Sequence, residues 1–362
     1  MSSGGPDVPY RGLGFSIPAE ATPIPPYNLA IIGFGNVGRA FLRMLVAKES
    51  ELRERYGVHW RLTGVATRRT GWLADPSGLH PLALLNGHWP APQADAPRNV
   101  REWLERARAD VLFEVTSLNA QNGQPAIEHL RAALEHGAHA ISANKGPVVH
   151  AYGELTALAR ARGKRFLHES TVMDGVPVFS LFRAGLPAAD LRGISGVLNS
   201  TTNVVLTEIE KGRTLEEAVK HAQALGVAET DPTADLDGWD SAVKLAALVI
   251  VLMGVPLRLE QIRRTGIREL SVEKIRAARA AGMRYKLVCR AERRGGAAEI
   301  PVQAIVQPEL LPLSDPLANL EGTSSAIRFD LDVFSLSLIE HNPGIEATAY
   351  GLLADFLRAV QP

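Results

Sequence analysis

Two lysines suggest the chemistry of this chain. Lys145 stands in the run Ser142-Ala143-Asn144-Lys145-Gly146, and Lys244 ends an acidic stretch that begins at Glu229 and includes Asp231, Asp235, Asp237 and Asp240. Upstream of both lies a glycine-rich turn, Gly33-Phe34-Gly35-Asn36-Val37-Gly38. A chain that builds a dinucleotide site and then sets ammonium groups beside carboxylates has the parts to polarise a small carbonyl and reduce it with a bound nicotinamide. Asp240 and Lys244 are four apart on an expected helix, so they share a face with the acid N-terminal to the base. In isolation such a pair is an ordinary surface ion pair that contributes little. The surrounding acids, broken by Pro232 and Gly238, suit a loop that aims side chains into a cleft, where concentrated acid can bind a substrate ammonium. The segment is not a calcium loop, because the glycine and terminal glutamate that such a loop requires are out of place.

The glycines divide their work. Spacing at 33, 35 and 38 permits a tight turn, a close approach of backbone to pyrophosphate, and close helix–strand contact, with the helix N-terminus facing the phosphates. Context supports binding over a bare turn: an apolar run, Tyr27 to Gly33, precedes it, and Val37 to Leu45 follows with helical spacing. At the end of the second strand, where an acid would hold the ribose hydroxyls, the chain reads Ala66-Thr67-Arg68-Arg69-Thr70. Arg68 and Arg69 either pair with a 2′-phosphate, so that NADP is accepted and favoured over NAD, or are solvated loop arginines.

The elements that must position these residues alternate. Strands are expected at Trp60 to Thr67, Val111 to Thr116 and Ala138 to Ala143, with helices near Val100 to Arg108 and Pro125 to His136 between them. That is a Rossmann-type, doubly wound parallel sheet of the α/β class. Lys145 follows a strand end on the side where such sheets bind ligands. A helix from about Tyr152 to Arg162 leads into a second, mixed α+β half, with strands near Arg165 to Ser170, Gly193 to Leu198, Tyr285 to Ala291, Ile300 to Val306 and Ile327 to Leu338. Thr214-Leu215-Glu216-Glu217 has the form of a capping box opening a helix that stops at Gly226. Another helix is expected from about Leu236 to Gly254, and a last one from Ile345 to Val360 returns to the first domain. The expected organisation is a loose tail over 1–26, a nucleotide domain over 27–151 completed by the C-terminal helix region 340–362, and a catalytic and dimerisation domain over 152–339.

Composition narrows the partners. At 362 residues and 46% apolar content the chain can bury two cores. Lys plus Arg and Asp plus Glu are equal at 39 each, so no global positive field exists to hold a nucleic acid or an anionic membrane. The apolar stretch Leu245 to Val255 is too short for a membrane span, which needs about 20 residues. A single cysteine, Cys289, excludes an intrachain disulfide and a multi-cysteine metal cluster, and fits a reducing cytoplasm. The first 26 residues lack the basic start and apolar centre of a secretion signal.

Taken in order, Gly33 to Gly38, Glu114-Val115-Thr116-Ser117, Ala143-Asn144-Lys145, Glu169-Ser170-Thr171-Val172, Leu198-Asn199-Ser200-Thr201-Thr202-Asn203 and Glu229 to Lys244 resemble the motifs of homoserine dehydrogenase, over nearly the whole chain from Tyr27. The resemblance implies reversible, NAD(P)-linked interconversion of L-aspartate 4-semialdehyde and L-homoserine, on the way to threonine, methionine and isoleucine. It implies Lys145 and Lys244 as the catalytic pair, with Glu229, Asp235, Asp240 and Thr201 toward the substrate. Asn144, Thr116 and Ser117, with Gly344 near the end, would line the cofactor pocket. A structural monovalent cation, commonly sodium, would be held by Glu169 and by carbonyls around Val172, Asp174 and Val176, and the chain would form a homodimer through its second domain. Three places depart from the pattern: Val227 replaces an aromatic, Met173-Asp174-Gly175 replaces a more glycine-rich stretch, and His341 to Thr348 keeps only Gly344 and Glu346-Ala347-Thr348 of a richer turn. Neither a regulatory domain of the ACT type nor a kinase domain is expected, and so no threonine feedback through such a module.

Lysine can donate a hydrogen bond and then a proton to the developing alkoxide, and burial beside a second cation is expected to lower its pKa toward working pH. Lys244 is the expected proton partner, held by Asp240, while Lys145 orients substrate or shares the proton role, a division the sequence does not make, and Glu229 captures the substrate ammonium. The competing readings are a two-domain dehydrogenase of another amino-semialdehyde or hydroxy acid, and a cofactor-sensing protein without turnover.

Overall fold

A computed structural model describes residues 25–91, 95–295 and 301–361. The tail expected over 1–26 therefore lies, except for its last two residues, outside the described residues, as does Ile300. In the first half, strands β1 (Tyr27–Ile32), β2 (Trp60–Thr67), β3 (Gly71–Ala74), β4 (Val111–Glu114), β5 (His139–Ser142) and β6 (Phe166–Leu167) form one sheet in the order β3-β2-β1-β4-β5-β6. All neighbours run parallel except the β2–β3 hairpin. Helices α1 (Asn36–Ala47), α2 (Glu49–Tyr56), α3 (Pro81–Leu85), α4 (Val100–Ala107), α5 (Ala126–His136) and α6 (Lys145–Ala161) make the connections.

Period-two alternation sorts the strand side chains onto two covered faces. Leu29, Ile31 and Phe113 face one apolar cluster with Phe41 of α1, and Ala30 and Leu112 face another with Trp103 of α4 and Leu130 of α5. The first face is completed from the far end of the chain by α13 (Ile345–Val360), whose Leu352, Leu353 and Phe356 are buried there. Phe113 meets Phe41 at 4.4 Å and Phe356 at 5.9 Å between ring centroids. Burying three such side chains stabilises the docking by roughly 1.5–3 kcal/mol each.

The second half holds α7 (Val178–Ala184), β7 (Leu191–Val197), α8 (Ser200–Glu210), α9 (Leu215–Ala224), α10 (Thr233–Leu236), α11 (Trp239–Leu248), β8 (Arg263–Arg264), α12 (Val272–Ala280), β9 (Met283–Arg293), β10 (Val302–Pro312), β11 (Ser325–Leu331) and β12 (Ser335–Glu340). Its sheet runs β12-β11-β7-β9-β10-β8 and is antiparallel except for the β10–β8 pair. The capping box at Thr214 and Glu217 forms as expected, with both reciprocal bonds present.

Four details differ from the sequence reading. The strand near Arg165 belongs to the first sheet as β6, because it pairs in parallel with β5 after the α6 crossover. Helix α6 runs through the expected boundary at 151/152, kinked at Ala151, where φ is −144°. The long helix expected over Leu236 to Gly254 is broken at Gly238, whose φ of +79° starts a new helix at Trp239, and it ends in a π-helical turn over Val249–Met253. Ile327 to Leu338 is not one strand but a hairpin, turned where Leu331 N bonds to Phe334 O.

Candidate active site

The glycine turn has the three properties its spacing requires. Gly33 has φ +94°, and a Cβ there would come within 2.5 Å of the Val115 carbonyl, so the turn is tight. A Cβ on Gly38 would strike the Gly33 carbonyl, which fixes the approach of α1 to β1. At Gly35 nothing lies within 4 Å of the Cβ position. The turn is open on the side where a pyrophosphate would come, and Gly35 begins α1 with no side chain capping its first N–H groups. A dinucleotide fits this cradle. Phe34 is buried edge-on against Trp89, while Asn36 is exposed.

Beyond the turn, a cleft of about 250 Å³ is lined by Val37, Thr116, Lys145, Asp174, Lys244 and Thr348 among others. Both lysines thus share one cavity, and one carboxylate joins them. Asp240 Oδ1 is 3.2 Å from Lys145 Nζ and Oδ2 is 3.5 Å from Lys244 Nζ, and each of the three side chains keeps about a fifth of its surface exposed. Lys244 also donates to the Leu198 carbonyl at 2.6 Å. Asn199, which caps α8 by accepting from Thr202 N, turns its amide to Asp235 at 2.7 Å and Asp240 at 3.1 Å. This asparagine was not singled out, although its place at the head of Asn199-Ser200-Thr201-Thr202 is an N-cap signature that fixes its side chain. Thr201 is buried and donates to the Val227 carbonyl.

The electrostatics correct one expectation. Burial does work to lower the pKa of Lys244, but the charge of Asp240, followed by that of Asp174, outweighs it, and the lysine is held above its ordinary value. Asp240 is likewise pressed upward by burial, yet the two ammonium groups, Lys145 first, hold it well below the usual carboxylate range. Asp235 is raised by burial and by Asp240 beside it.

On the nucleotide side, Asn144 accepts from Gly146 N at 2.9 Å, capping the helix that carries Lys145, while its amide donates to the carbonyls of Thr116 and Ser117, both at 3.3 Å. Gly344 is the N-cap of α13. Arg68 and Arg69 are exposed at the tip of the β2–β3 hairpin. Glu229 is exposed, and its main-chain oxygen is what accepts a bond, from Gln223.

The expected cation set does not fit as a carboxylate site. Glu169 is buried, and its carboxylate accepts from Phe179 N at 2.6 Å, Ser180 N at 3.0 Å and Arg358 at 2.9 Å. A metal ion there would sit against a guanidinium. The Val176 carbonyl accepts from Val178 N, and Asp174 turns its side chain to Thr348 at 2.5 Å. Asp355 stands beside Glu169 and accepts from its N–H, and burial followed by that neighbouring charge pushes its carboxyl up to about 7. Among the described residues no group of three or more His, Cys, Asp or Glu side chains could hold a metal ion, and no helix is long and apolar enough to cross a membrane.

Both halves of the chain are similar to known proteins. Residues 33–169 match the family model of the homoserine dehydrogenase NAD-binding domain, and residues 177–357 match that of homoserine dehydrogenase. An NAD(+)-dependent homoserine dehydrogenase of Pseudomonas canavaninivorans is 34% identical over 92% of this chain and 96% of its own length. A homoserine dehydrogenase of Sulfurisphaera tokodaii is 31% identical over 91% of this chain and 97% of its own. Among solved structures, a homoserine dehydrogenase of Thiobacillus denitrificans superposes with a TM-score of 0.78 at 29% identity, covering 92% of this chain and 73% of that one. A mutant of a hyperthermophilic archaeal homoserine dehydrogenase in complex with NADPH superposes with a TM-score of 0.75 at 27% identity, covering 92% and 97%. With both halves of the sequence matched and nearly the full length of several relatives spanned, the protein belongs to the homoserine dehydrogenase family, NAD(P)-dependent oxidoreductases that act on a CH–OH group.

Proposed function

We propose that the lysine pair in this cleft carries the proton side of the reversible conversion of L-aspartate 4-semialdehyde to L-homoserine. The observation that supports it is the meeting of Lys145 and Lys244 on Asp240 beside the open glycine turn. A reduced nicotinamide cofactor held at the Gly33, Gly35 and Gly38 turn would supply the hydride. As charge gathers on the carbonyl oxygen, Lys244 meets it with a hydrogen bond and then a proton, while Lys145 orients the substrate. Asp240, itself held by the Asn199 amide, keeps both ammonium groups in position. Asp235 and Thr201 stand beside this group, and Glu229, on an exposed loop, captures the substrate ammonium when the cleft is filled. The deciding assay is oxidation of L-homoserine with NAD and NADP side by side, against a panel of other hydroxy acids. Turnover of homoserine above the rest is expected, and turnover of another hydroxy acid in its place would remove the assignment.

NADP is the favoured cofactor in this reading, through Arg68 and Arg69 on a 2′-phosphate. Their exposure at the hairpin tip suits a ligand that arrives from solvent. Replacing both with alanine is expected to raise KM for NADP by about tenfold, as for loss of charge-assisted bonds to a phosphate, and to leave KM for NAD unchanged. An unaltered NADP-to-NAD preference would refute it. A sodium ion would have to be held by main-chain carbonyls alone, and no step here depends on one. A homodimer through β12 is supported by that strand's place at the open edge of its sheet, with Val333, Phe334 and Ile339 exposed there. The cytoplasm is the expected compartment.

A further inference from the structure

Several buried acids take no part in the reaction described above, and one of them, Glu114, stands behind the cleft. Glu114 ends β4 and is wholly buried. Its Oε1 accepts from the hydroxyl of Thr116 and, at 3.3 Å, from Thr116 N, and its Oε2 lies 3.4 Å from Ser142 Oγ. His129 approaches, with Nδ1 at 3.6 Å from Oε1, yet that nitrogen is buried with no hydrogen-bond partner. Among the described residues no lysine or arginine forms an ion pair with Glu114. Its carboxyl group is met by neutral donors, the hydroxyl and N–H of Thr116 and the hydroxyl of Ser142.

That carboxyl group lies directly behind the cleft. Thr116, which donates to Glu114 through both side chain and backbone, forms the cleft wall together with Val37 and the two lysines. For a hydride to reach a carbonyl that those lysines polarise, the nicotinamide ring must lie against this wall. The reduced ring is neutral and the oxidised ring is a cation, so a fixed anion behind the wall distinguishes the two oxidation states.

We propose that the Thr116 and Ser142 donors keep Glu114 ionised and that it is a positioning residue, whose buried carboxylate makes the site hold the oxidised nicotinamide more tightly than it would with a neutral residue of the same shape. The inference rests on the ring lying in this cleft and is independent of which hydroxy acid is turned over. A unit charge at roughly 7 Å, acting through an effective dielectric of roughly 20, has more than a tenfold effect before water screens it.

The test measures dissociation constants of NAD and NADH, without substrate, for the unaltered protein and for Glu114→Gln, Glu114→Asp and Thr116→Val. Glu114→Gln is expected to weaken the oxidised form by about tenfold and to leave the reduced form nearly unchanged. Glu114→Asp retains the charge, and Thr116→Val removes a donor but not the charge, so both are expected to keep the original NAD-to-NADH ratio even where they weaken binding. A purely structural role would weaken both cofactor forms equally in Glu114→Gln, and that result would overturn the proposal. If Glu114→Gln does not fold, Glu114→Met, neutral and of similar length, takes its place: loss of NAD binding with NADH binding kept sustains the proposal, and equal loss of both overturns it. Homoserine turnover can fail while the ratio shifts, so the two readings fail separately.

Discussion

Lys244→Ala is expected to lower kcat for homoserine oxidation by about a thousandfold, the middle of the range for a positioned acid–base group, and to leave the dissociation constant for NAD or NADP unchanged. The cofactor turn and the capped start of α6 lie on other elements and keep their contacts. Lost with the ammonium are its bond to the Leu198 carbonyl and its pairing with Asp240, but Asp240 retains Lys145 and Asn199 as partners, so the fold tolerates the change. The drop should appear equally in kcat and kcat/KM, as for an interaction made only in the transition state. Near-normal kcat would reassign the proton step to Lys145.

Asp240→Asn should do more than remove one acid, because the two ammonium groups would then face each other without the anion that joins them. Breaking a buried pair typically costs about 3–5 kcal/mol, and the fifth of the surface that stays exposed in this cluster places the expected loss at the low end. A fall in kcat/KM of about a hundredfold is expected, together with a lower melting temperature. The pH dependence has a definite sign. Asp240 is held below the ordinary carboxylate range, so its contribution to stability is present at neutral pH and lost only as pH falls through that lowered value. Lys244 is held above its ordinary value, so its contribution is present at neutral pH and lost as pH rises through the raised value. In Asp240→Asn the largest support for Lys244 is lost while burial still acts to lower it. In the reducing direction, where Lys244 must carry the proton it gives up, the alkaline limb of the kcat/KM profile should therefore move to lower pH, and melting temperatures measured from neutral to alkaline pH should fall earlier than in the unaltered protein. An alkaline limb that stays in place would mean that Asp174 and Asp235 are enough to support the lysine.

Much of this arrangement was legible because it depends on local rules. The turn at Gly33, Gly35 and Gly38 and the capping box at Thr214 follow from backbone geometry within a few residues, and both form as read. Helix α13 carries a strong helical period, and its bounds match those read from the sequence. The convergence of Lys145 and Lys244 could be inferred only from the family's motifs, since no local pattern links residues about a hundred positions apart. Other features depend on partners that the sequence does not name. Lys244 is raised rather than lowered because Asp240, Asp174 and Asp235 reach it across space. Glu169 was read as a ligand because its motif matched, and its occupation by Arg358 of α13 cannot be seen from the motif. The hairpin between β11 and β12 went unrecognised because Asp332-Val333-Phe334 offers no glycine or asparagine to mark a turn.

The return of α13 has a consequence for how this polypeptide matures. Its Leu352, Leu353 and Phe356 close a flank of the first sheet, and Thr348 supplies part of the cleft wall, yet some three hundred residues separate them from β1. While the chain emerges from the ribosome, the early strands must wait with a bare, sticky side, for the time that synthesis of the whole second half requires. Chaperone demand during translation, rather than the resilience of the finished enzyme, is where this wiring should make itself felt.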